Sequence, residues 1–227
     1  MNIAMIPARM GSQRLKKKNL RKLGGIHLIT RAIRKAVSSK VFNEIWVNSE
    51  SPVFKEIALQ EGVRFHLRPE ELASNTATSE DFVYEFLKSH PCDYLFQVHS
   101  IAPLLTSEQV AGFVKAMEAS SYDVQVSVVN ELIECMIEGR PINFAFDSKT
   151  NSQDLTPIQR ITWSITGWRR STYIEAYEAG QCATYAGRIG LYPVNRSAGH
   201  IIKTEHDLKI AEALLEADKG KDLRQEE

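Results

Sequence analysis

The chain has few cysteines and no long apolar run, and each shortage excludes a class of protein. Its three cysteines, Cys92, Cys135 and Cys182, are widely spaced. They form neither a disulfide framework nor a Cys-x-x-Cys metal pair. No apolar run approaches the ~18 residues of a membrane span, and the first residues lack the apolar stretch and cleavage site of a signal peptide. We therefore expect a cytoplasmic protein with no membrane partner.

The sequence also lacks an excess of either charge. It has 28 Lys and Arg against 28 Asp and Glu, so its formal net charge is zero. Proteins that coat nucleic acid usually need a net basic face, and we therefore expect no nucleic-acid partner. The 227 residues, of which 43% are hydrophobic, suit a single α/β domain over 1–227 with a small insertion.

One short segment lacks acidic residues altogether. Between Arg9 and Arg21 the chain carries six basic side chains and no acid, directly after the apolar segment NIAMIPA. Six like charges repel one another unless an anion lies among them, and a nucleoside triphosphate would supply it. The segment is neither a P-loop, which needs Gly-Lys-Ser, nor a Gly-x-Gly-x-x-Gly fingerprint. A solvated basic loop, a targeting patch and a nucleic-acid-binding loop are the alternatives.

Short apolar segments alternate with helical patterns along most of the chain. Strands are predicted at NIAMIPA, EIWVNS, VRFHLRP, CDYLFQVHS and YDVQVSVV. The first predicted helix, HLITRAIRKAVSS, has on one face Leu28, Ala32, Ile33, Ala36 and Val37. This alternation predicts an α/β fold with a mostly parallel, Rossmann-like sheet flanked by helices. The pattern loosens at about 131–168, where an inserted lobe is predicted, with strand candidates RPINFAF and ITWSIT.

The loop after the first strand is the predicted site, because ligands of an open parallel sheet bind beyond the carboxyl ends of its strands. Gly11 permits close approach of the backbone to phosphate oxygens, and Ser12 adds a hydroxyl donor. Arg9, Arg14 and Lys18 can neutralise the roughly three to four negative charges of a triphosphate.

Four stretches, taken in order, resemble one enzyme family. They are IPARMGSQRLKKKN, RPEELASNTATSEDFV, FQVHSIAPLLTSEQV and SQDLTPIQRITWSITGW. These segments resemble the sugar-acid cytidylyltransferases, the family of the CMP-sialic acid, CMP-pseudaminic acid, CMP-legionaminic acid and CMP-Kdo synthetases. The resemblance implies a nucleotide-diphospho-sugar transferase-like fold and transfer of CMP from CTP to a 2-keto sugar acid with release of pyrophosphate. It also implies Mg²⁺ as cofactor and a homodimer that associates through the 131–168 lobe.

The same resemblance assigns roles to residues of this chain. CTP would be bound by Ala8, Arg9, Gly11, Ser12, Arg14, Lys18, Asn19, Arg68 and Ser79. The sugar acid would contact Gln97, His99, Gln153 and Asp154. The catalytic charges would come from Arg9 and Lys18, and by a separate hypothesis from Lys203, which replaces a family aspartate.

One departure from the family pattern concerns the metal. The family usually has Asp-x-Asp-Thr before its last helix, whereas this chain reads GHIIKTEHDLKIA, with Ile201 and Lys203 at the two aspartate positions. Mg²⁺ prefers oxygen ligands, and neither side chain supplies one, so no metal ligand is assigned. Three interpretations stay open. The Lys203 ammonium replaces the ion, Glu205 or Asp207 supplies the oxygens, or the chain binds nucleotide or sugar without the family reaction.

Two smaller signals each have two interpretations. His99 ends a predicted buried strand opposite the basic loop, and is either a general base or a hydrogen-bonded structural histidine. Trp163, Trp168, Arg169 and Arg170 lie close together in sequence, and they either bind a sugar carboxylate or a base, or pack at a subunit contact.

Overall fold

The computed structural model describes residues 1–222, which form an α/β fold around a seven-stranded sheet. The strands are β1 (Asn2–Pro7), β2 (Lys22–Leu23), β3 (Ile26–His27), β4 (Glu44–Ser49), β5 (Arg64–Leu67), β6 (Tyr94–Val98), β7 (Val124–Glu131), β8 (Met136–Ile137), β9 (Arg140–Pro141), β10 (Ile158–Arg169) and β11 (Ile189–Pro193). The α-helices are α1 (Leu28–Ser39), α2 (Pro52–Gln60), α3 (Ser79–Ser89), α4 (Ser107–Glu118), α5 (Arg170–Glu178) and α6 (Glu205–Asp222).

The main sheet has the strand order β11-β7-β10-β6-β1-β4-β5. Strand β1 pairs in parallel with β4 and β6, β4 pairs in parallel with β5, and β7 pairs in parallel with β11. Strand β10 runs antiparallel between β6 and β7. The predicted mostly parallel sheet flanked by helices is therefore confirmed.

Strand β1 shows why this sheet is covered on both faces. Its residues Ile3 to Ile6 are all fully buried, as the unbroken apolar run predicts. Ala4 and Ile6 pack into one core cluster, and Ile3 and Met5 pack into another. Successive side chains of a strand point to opposite faces, so a single apolar segment supplies both cores.

The C-terminal part of the region predicted as an inserted lobe, about 131–168, belongs to the main sheet. Ile158 to Ile161 pair with β7, and Ile165 to Arg169 pair with β6, so the ITWSIT strand belongs to the main sheet. Of RPINFAF, only Arg140–Pro141 is a strand, because its partner β8 is a two-residue strand that offers no longer ladder. Within this region, the residues that lie outside the main sheet are therefore 132–157.

Two further expectations are corrected. Val37 was expected to face the core, but it is 46% exposed because it lies at the edge of the apolar stripe of α1. A solvated tail was expected from Gly220 onward, whereas α6 continues to Asp222, and residues 223–227 lie outside the described part of the chain. None of the helices described within 1–222 is long and apolar enough to cross a membrane.

Candidate active site

A cavity of about 420 Å³ opens where β1 and β6 end, and we call it the basic cleft. Eight of the nine predicted nucleotide-binding residues line it, namely Ala8, Arg9, Ser12, Arg14, Lys18, Asn19, Arg68 and Ser79. Gln97 and His99, predicted to contact the sugar acid, line it as well. The carboxyl end of the sheet therefore gathers most of the predicted site, as expected for an open parallel sheet.

The charges of the basic cleft have one sign. Its cationic residues are Arg9, Arg14, Lys18, Arg68 and Lys203, and within residues 1–222 no acidic residue lines it. Burial lowers the pKa of the Lys18 ammonium, and the charges of Arg14, Arg9 and Lys203 lower it further. The cleft therefore holds positive charges that repel one another, and a bound polyanion would neutralise them.

The buried Asn19 fixes the basic loop to the end of β6. Its amide nitrogen donates to the Arg9 carbonyl at 3.2 Å, and its amide oxygen accepts from the Ser100 hydroxyl at 2.6 Å. Because both ends of this amide are used within the protein, Asn19 holds the cleft together as well as lining it. The loop after β6 is held from its other side by Lys35, whose buried ammonium donates to the Ala102 carbonyl at 2.5 Å.

Arg68 closes one side of the basic cleft and is almost fully buried. Its guanidinium donates to the side-chain oxygen of Asn48 at 2.6 Å and to the Asn48 carbonyl at 2.9 Å. The guanidinium also lies 4.1 Å from the centre of the Phe82 ring. Burial lowers the pKa of Arg68 to about 10, so the group remains charged at neutral pH. Arg68 is thus a fixed charge rather than a mobile one.

A second cavity of about 820 Å³ adjoins the first, and we call it the wide cavity. The two cavities share His99, Ile101 and Lys203. Two further cations, Arg160 and Arg196, line the wide cavity, although they lie far apart in the sequence. Within the described chain, its lining also includes one carboxylate, Asp207, so three cations outnumber one acid and the cavity suits a small acidic molecule.

Trp163 lines the wide cavity from a strained position. The pairing of β10 with β7 shifts register between Ile161 and Thr166, and within this irregularity Trp163 has φ of 54°. A bulky side chain at positive φ is a genuine outlier and costs about 1–3 kcal/mol. Strained residues of this kind cluster at functional sites, and the irregularity directs Trp163 into the cavity.

His99 lies at the junction of the two cavities. Its Nε2 atom is buried, and no residue in the described part of the chain gives it a hydrogen-bond partner. Burial lowers the pKa of His99 to about 4, with the charge of Lys18 as a second cause, so the imidazole is neutral at pH 7. The interpretation as a hydrogen-bonded structural histidine is therefore not supported at Nε2. Such a nitrogen is free to accept a proton or a hydrogen bond, and its place at the junction of the two cavities makes His99 a candidate for the site.

The residues before α6 do not fit a Mg²⁺ site. Asp207 accepts hydrogen bonds from the backbone of Lys203 and Thr204 and from the Thr204 hydroxyl, so its carboxylate caps the start of α6. Burial would raise the pKa of Asp207, but these bonds outweigh it and lower the pKa. Glu205 is paired with Arg21 at 2.6 Å. Within 1–222, no group of three or more His, Cys, Asp or Glu side chains is placed to hold a metal.

Several predicted residues lie elsewhere. Gln153 and Asp154, expected to line the same cleft, are exposed on a short 3₁₀ helix within 132–157 and line neither cavity of this chain as far as residue 222. The reason is that this segment lies outside the sheet whose edge forms the site. Gly11 is exposed and is absent from both linings within the same range.

Trp168, Arg169 and Arg170 serve the fold. Trp168 is 3% exposed within the core of its own chain, so packing at a subunit contact is wrong for it. Arg169 pairs with Asp123 at 3.1 Å, and Arg170 donates to the Leu87 carbonyl at 3.0 Å.

Arg160 and Arg196 were missed from the sequence. They lie in separate segments with no motif around them, and only the pairing of β10 and β11 with β7 brings their segments to one cavity. A search of the sequence for cations at the ends of strands could have found Arg196, which follows β11 by three residues.

Known proteins resemble this chain in sequence. A sequence profile described as cytidylyltransferase matches residues 3–225. N-acylneuraminate cytidylyltransferase A of Danio rerio is 33% identical over 165 residues, which are 71% of this chain and 38% of that protein. N-acylneuraminate cytidylyltransferase of Streptococcus agalactiae is 30% identical over 197 residues, 81% of this chain and 47% of that protein. Post-translational flagellin modification protein B of Campylobacter coli is 26% identical over 230 residues and 94% of each chain.

Solved structures share the fold. CMP:2-keto-3-deoxy-manno-octonic acid synthetase complexed with CTP has a TM-score of 0.71 at 17% identity, over 96% of this chain and 99% of that one. 4-Diphosphocytidyl-2C-methyl-D-erythritol synthase of Anaerococcus prevotii has a TM-score of 0.67 at 12% identity, over 95% and 98%.

The chain spans less than half the length of the first two relatives, 38% and 47%. The family profile, in contrast, spans nearly the whole sequence from residue 3 to residue 225. The sequence resemblance is therefore confirmed, and the chain belongs to the cytidylyltransferase family.

Proposed function

We propose that this protein transfers CMP from CTP to a sialic-acid-like 2-keto sugar acid and releases pyrophosphate, as a cytoplasmic step of surface-glycan synthesis. The observation that carries the proposal is the pairing of two cavities. A cleft with cations and no described acid adjoins a larger cavity, and His99 and Lys203 lie at the junction. A triphosphate fits the first cavity and an acidic sugar fits the second, with the reacting atoms at the junction.

The triphosphate would lie among Arg9, Arg14 and Lys18, whose charges match its own. The nucleoside would then extend toward Ser79 and Phe82, which line the other side of the basic cleft. Cytosine is proposed from family membership, because these cations would bind the phosphates of any nucleoside triphosphate.

The sugar acid would occupy the wide cavity, with its carboxylate near Arg196, because Arg160 is already paired with Glu131 at 3.0 Å. Its anomeric hydroxyl oxygen attacks the α-phosphorus, and a new P–O bond forms there. The bond from the α-phosphorus to the bridging oxygen breaks, and pyrophosphate leaves with the electron pair. The hydroxyl proton passes to the neutral imidazole of His99, while Lys18 and Lys203 stabilise the charge that develops on the phosphates.

Turnover tests this proposal. We expect pyrophosphate release from CTP with at least one member of a panel of eight- and nine-carbon 2-keto sugar acids, and a CMP-sugar product by mass spectrometry. His99→Gln should lower kcat by about 10²–10⁴-fold, the range for a general base, and leave the Kd for CTP nearly unchanged. A kcat that is unchanged in His99→Gln would remove His99 from the proton transfer.

A second candidate function follows from the altered metal motif. A family member with Ile201 and Lys203 at the two aspartate positions could bind nucleotide or sugar without transfer. CTP binding without pyrophosphate release, for every sugar acid of the panel, would favour this candidate over the enzyme.

We also propose a homodimer that associates through the 132–157 segment. Large apolar side chains are exposed there, including Ile137 at 64% and Phe146 at 73%. Phe146 also packs against Phe144, with ring centres 5.7 Å apart, and contiguous exposed apolar groups often mark interfaces. In a dimer, Gln153 and Asp154 would be free to reach the cleft of the partner subunit.

The dimer predicts a mass twice that of the 25.6 kDa chain in light scattering after size exclusion. Phe146→Glu should shift this mass toward the monomer. Leu59→Glu, at a side chain 63% exposed on α2, should leave the mass unchanged. A monomeric wild-type protein would contradict the proposal.

A further inference from the structure

Three acidic residues that lie beside the lining of the basic cleft, Asp207, Glu205 and Glu50, are engaged in the fold. Asp207 caps α6, and Glu205 is paired with Arg21. On the other side of the loop, Glu50 accepts a hydrogen bond from the Met10 backbone at 2.8 Å and one from the Ser49 hydroxyl at 3.1 Å. Freeing any of these carboxylates for a metal would break a helix cap, an ion pair or a loop contact.

Lys203 is held toward the cleft by its buried neighbour. Ile202 is fully buried, and its backbone donates to the Ile101 carbonyl at 2.9 Å. The residues on either side, Ile201 and Lys203, line the cavities instead. Lys203 is the cation of this segment that lines both cavities within the described chain, and its charge reaches Lys18, whose pKa it lowers.

We propose that the cytidylyl transfer proceeds without a protein-bound Mg²⁺, and that the ammonium of Lys203 takes the electrostatic role of the ion beside the triphosphate. The inference rests on the proposed function, because it concerns the same cleft. It differs from the family pattern in replacing a divalent ion and two carboxylates by one side-chain cation.

The charge balance of the cleft gives the inference a measurable consequence. Near pH 8 free CTP carries roughly four negative charges, and Mg²⁺ removes two of them. The cleft offers Arg9, Arg14, Lys18 and Lys203 with no described acid to hold a divalent ion. Coulomb's law therefore favours free CTP over the Mg²⁺ complex in this cleft, which is opposite to the order expected of a carboxylate-lined site.

Calorimetric titration of CTP, in EDTA and in excess Mg²⁺, tests the inference without any knowledge of the sugar acid. For the wild type we expect free CTP to bind at least about fivefold more tightly than the Mg²⁺ complex. Lys203→Asp should reverse this order, and free CTP should bind at least about tenfold more weakly than to the wild type. Lys203→Met, which removes the positive charge and adds no negative one, should abolish the preference for free CTP.

Lys209→Asp is the matched control, because Lys209 is an exposed lysine of α6 that lines neither cavity within the described residues. It makes the same change of charge and should keep the wild-type order of affinities. Equal binding of the two forms by the wild type, or tighter binding of the Mg²⁺ complex, would overturn the inference. Absence of CTP binding in both buffers, by a protein with a native circular dichroism spectrum, would overturn the proposed function itself.

A second readout uses the reaction. With an accepted sugar acid, pyrophosphate release by the wild type should persist in EDTA. Release that stops in EDTA and resumes with Mg²⁺ would also overturn the inference while leaving the proposed function intact.

Discussion

Replacing Lys18 with methionine will weaken CTP binding by about 10–100-fold. Lys18 lines the basic cleft, where burial lowers its pKa and the charges of Arg14, Arg9 and Lys203 lower it further. A hydrogen bond to a charged group contributes about 1.5–3 kcal/mol, and 1.4 kcal/mol corresponds to a factor of ten in affinity. Methionine keeps the apolar length of the side chain and removes only the charge. Calorimetric titration with CTP measures the change.

Lys16→Met is the matched control for Lys18→Met. Lys16 lies two residues away in the same loop, but it is exposed and does not line the cleft within the described chain. We expect its substitution to change the Kd for CTP by less than about threefold, since an exposed charge is screened by salt. Equal losses in the two variants would mean that the loop acts only as a diffuse basic surface.

Replacing Ile202 with alanine will lower the free energy of unfolding by about 2–4 kcal/mol. Ile202 is fully buried in a cluster with Leu15 of the basic loop, Leu28 of α1 and Leu208 of α6. Deleting a buried aliphatic side chain removes its transfer free energy and leaves a cavity, which costs about 2–5 kcal/mol. Chemical denaturation monitored by circular dichroism gives this change from the midpoint and slope.

Ile202→Ala should also weaken CTP binding, because the same side chain anchors the segment that presents Lys203. Ile210→Ala is the control, since Ile210 on α6 is 36% exposed. We expect less than about 1 kcal/mol of destabilisation there and an unchanged Kd for CTP. A loss of stability without a loss of affinity in Ile202→Ala would show that the Lys203 segment keeps its position without this anchor.

Local sequence signals predicted most of the elements correctly. Leu28, Ala32, Ile33 and Ala36, four of the five residues predicted for the apolar face of the first helix, are buried on α1. Ile3 to Ile6 form the buried strand that their unbroken apolar run predicts. These signals succeed because periodicity depends on residues a few positions apart.

The position of β10 could not be predicted in the same way. Its placement between β6 and β7 depends on pairing between residues far apart in the sequence, such as Ile165 with Val98. A strand pattern does not contain its own partner or direction. As a result, the predicted lobe extended into residues that belong to the sheet.

In the candidate site, too, residues close together in the sequence were predicted, and residues brought together only by the fold were not. The cations of the loop Arg9–Lys18 are close in sequence, and the family resemblance marked them. Arg160 and Arg196 reach the wide cavity through sheet pairing alone. The partnerless Nε2 of His99 depends on what surrounds it in space, which the sequence does not state.

The pairing of Glu131 with Ile158 makes the 132–157 segment the loop of a long β-hairpin. Its two ends are therefore held side by side by the ladder, whatever lies between them. The free-energy cost of closing a loop grows only with the logarithm of its length, by about 0.6 kcal/mol for each doubling. Evolution could thus lengthen, shorten or exchange this segment as a module while the sheet that forms the basic cleft stays as it is.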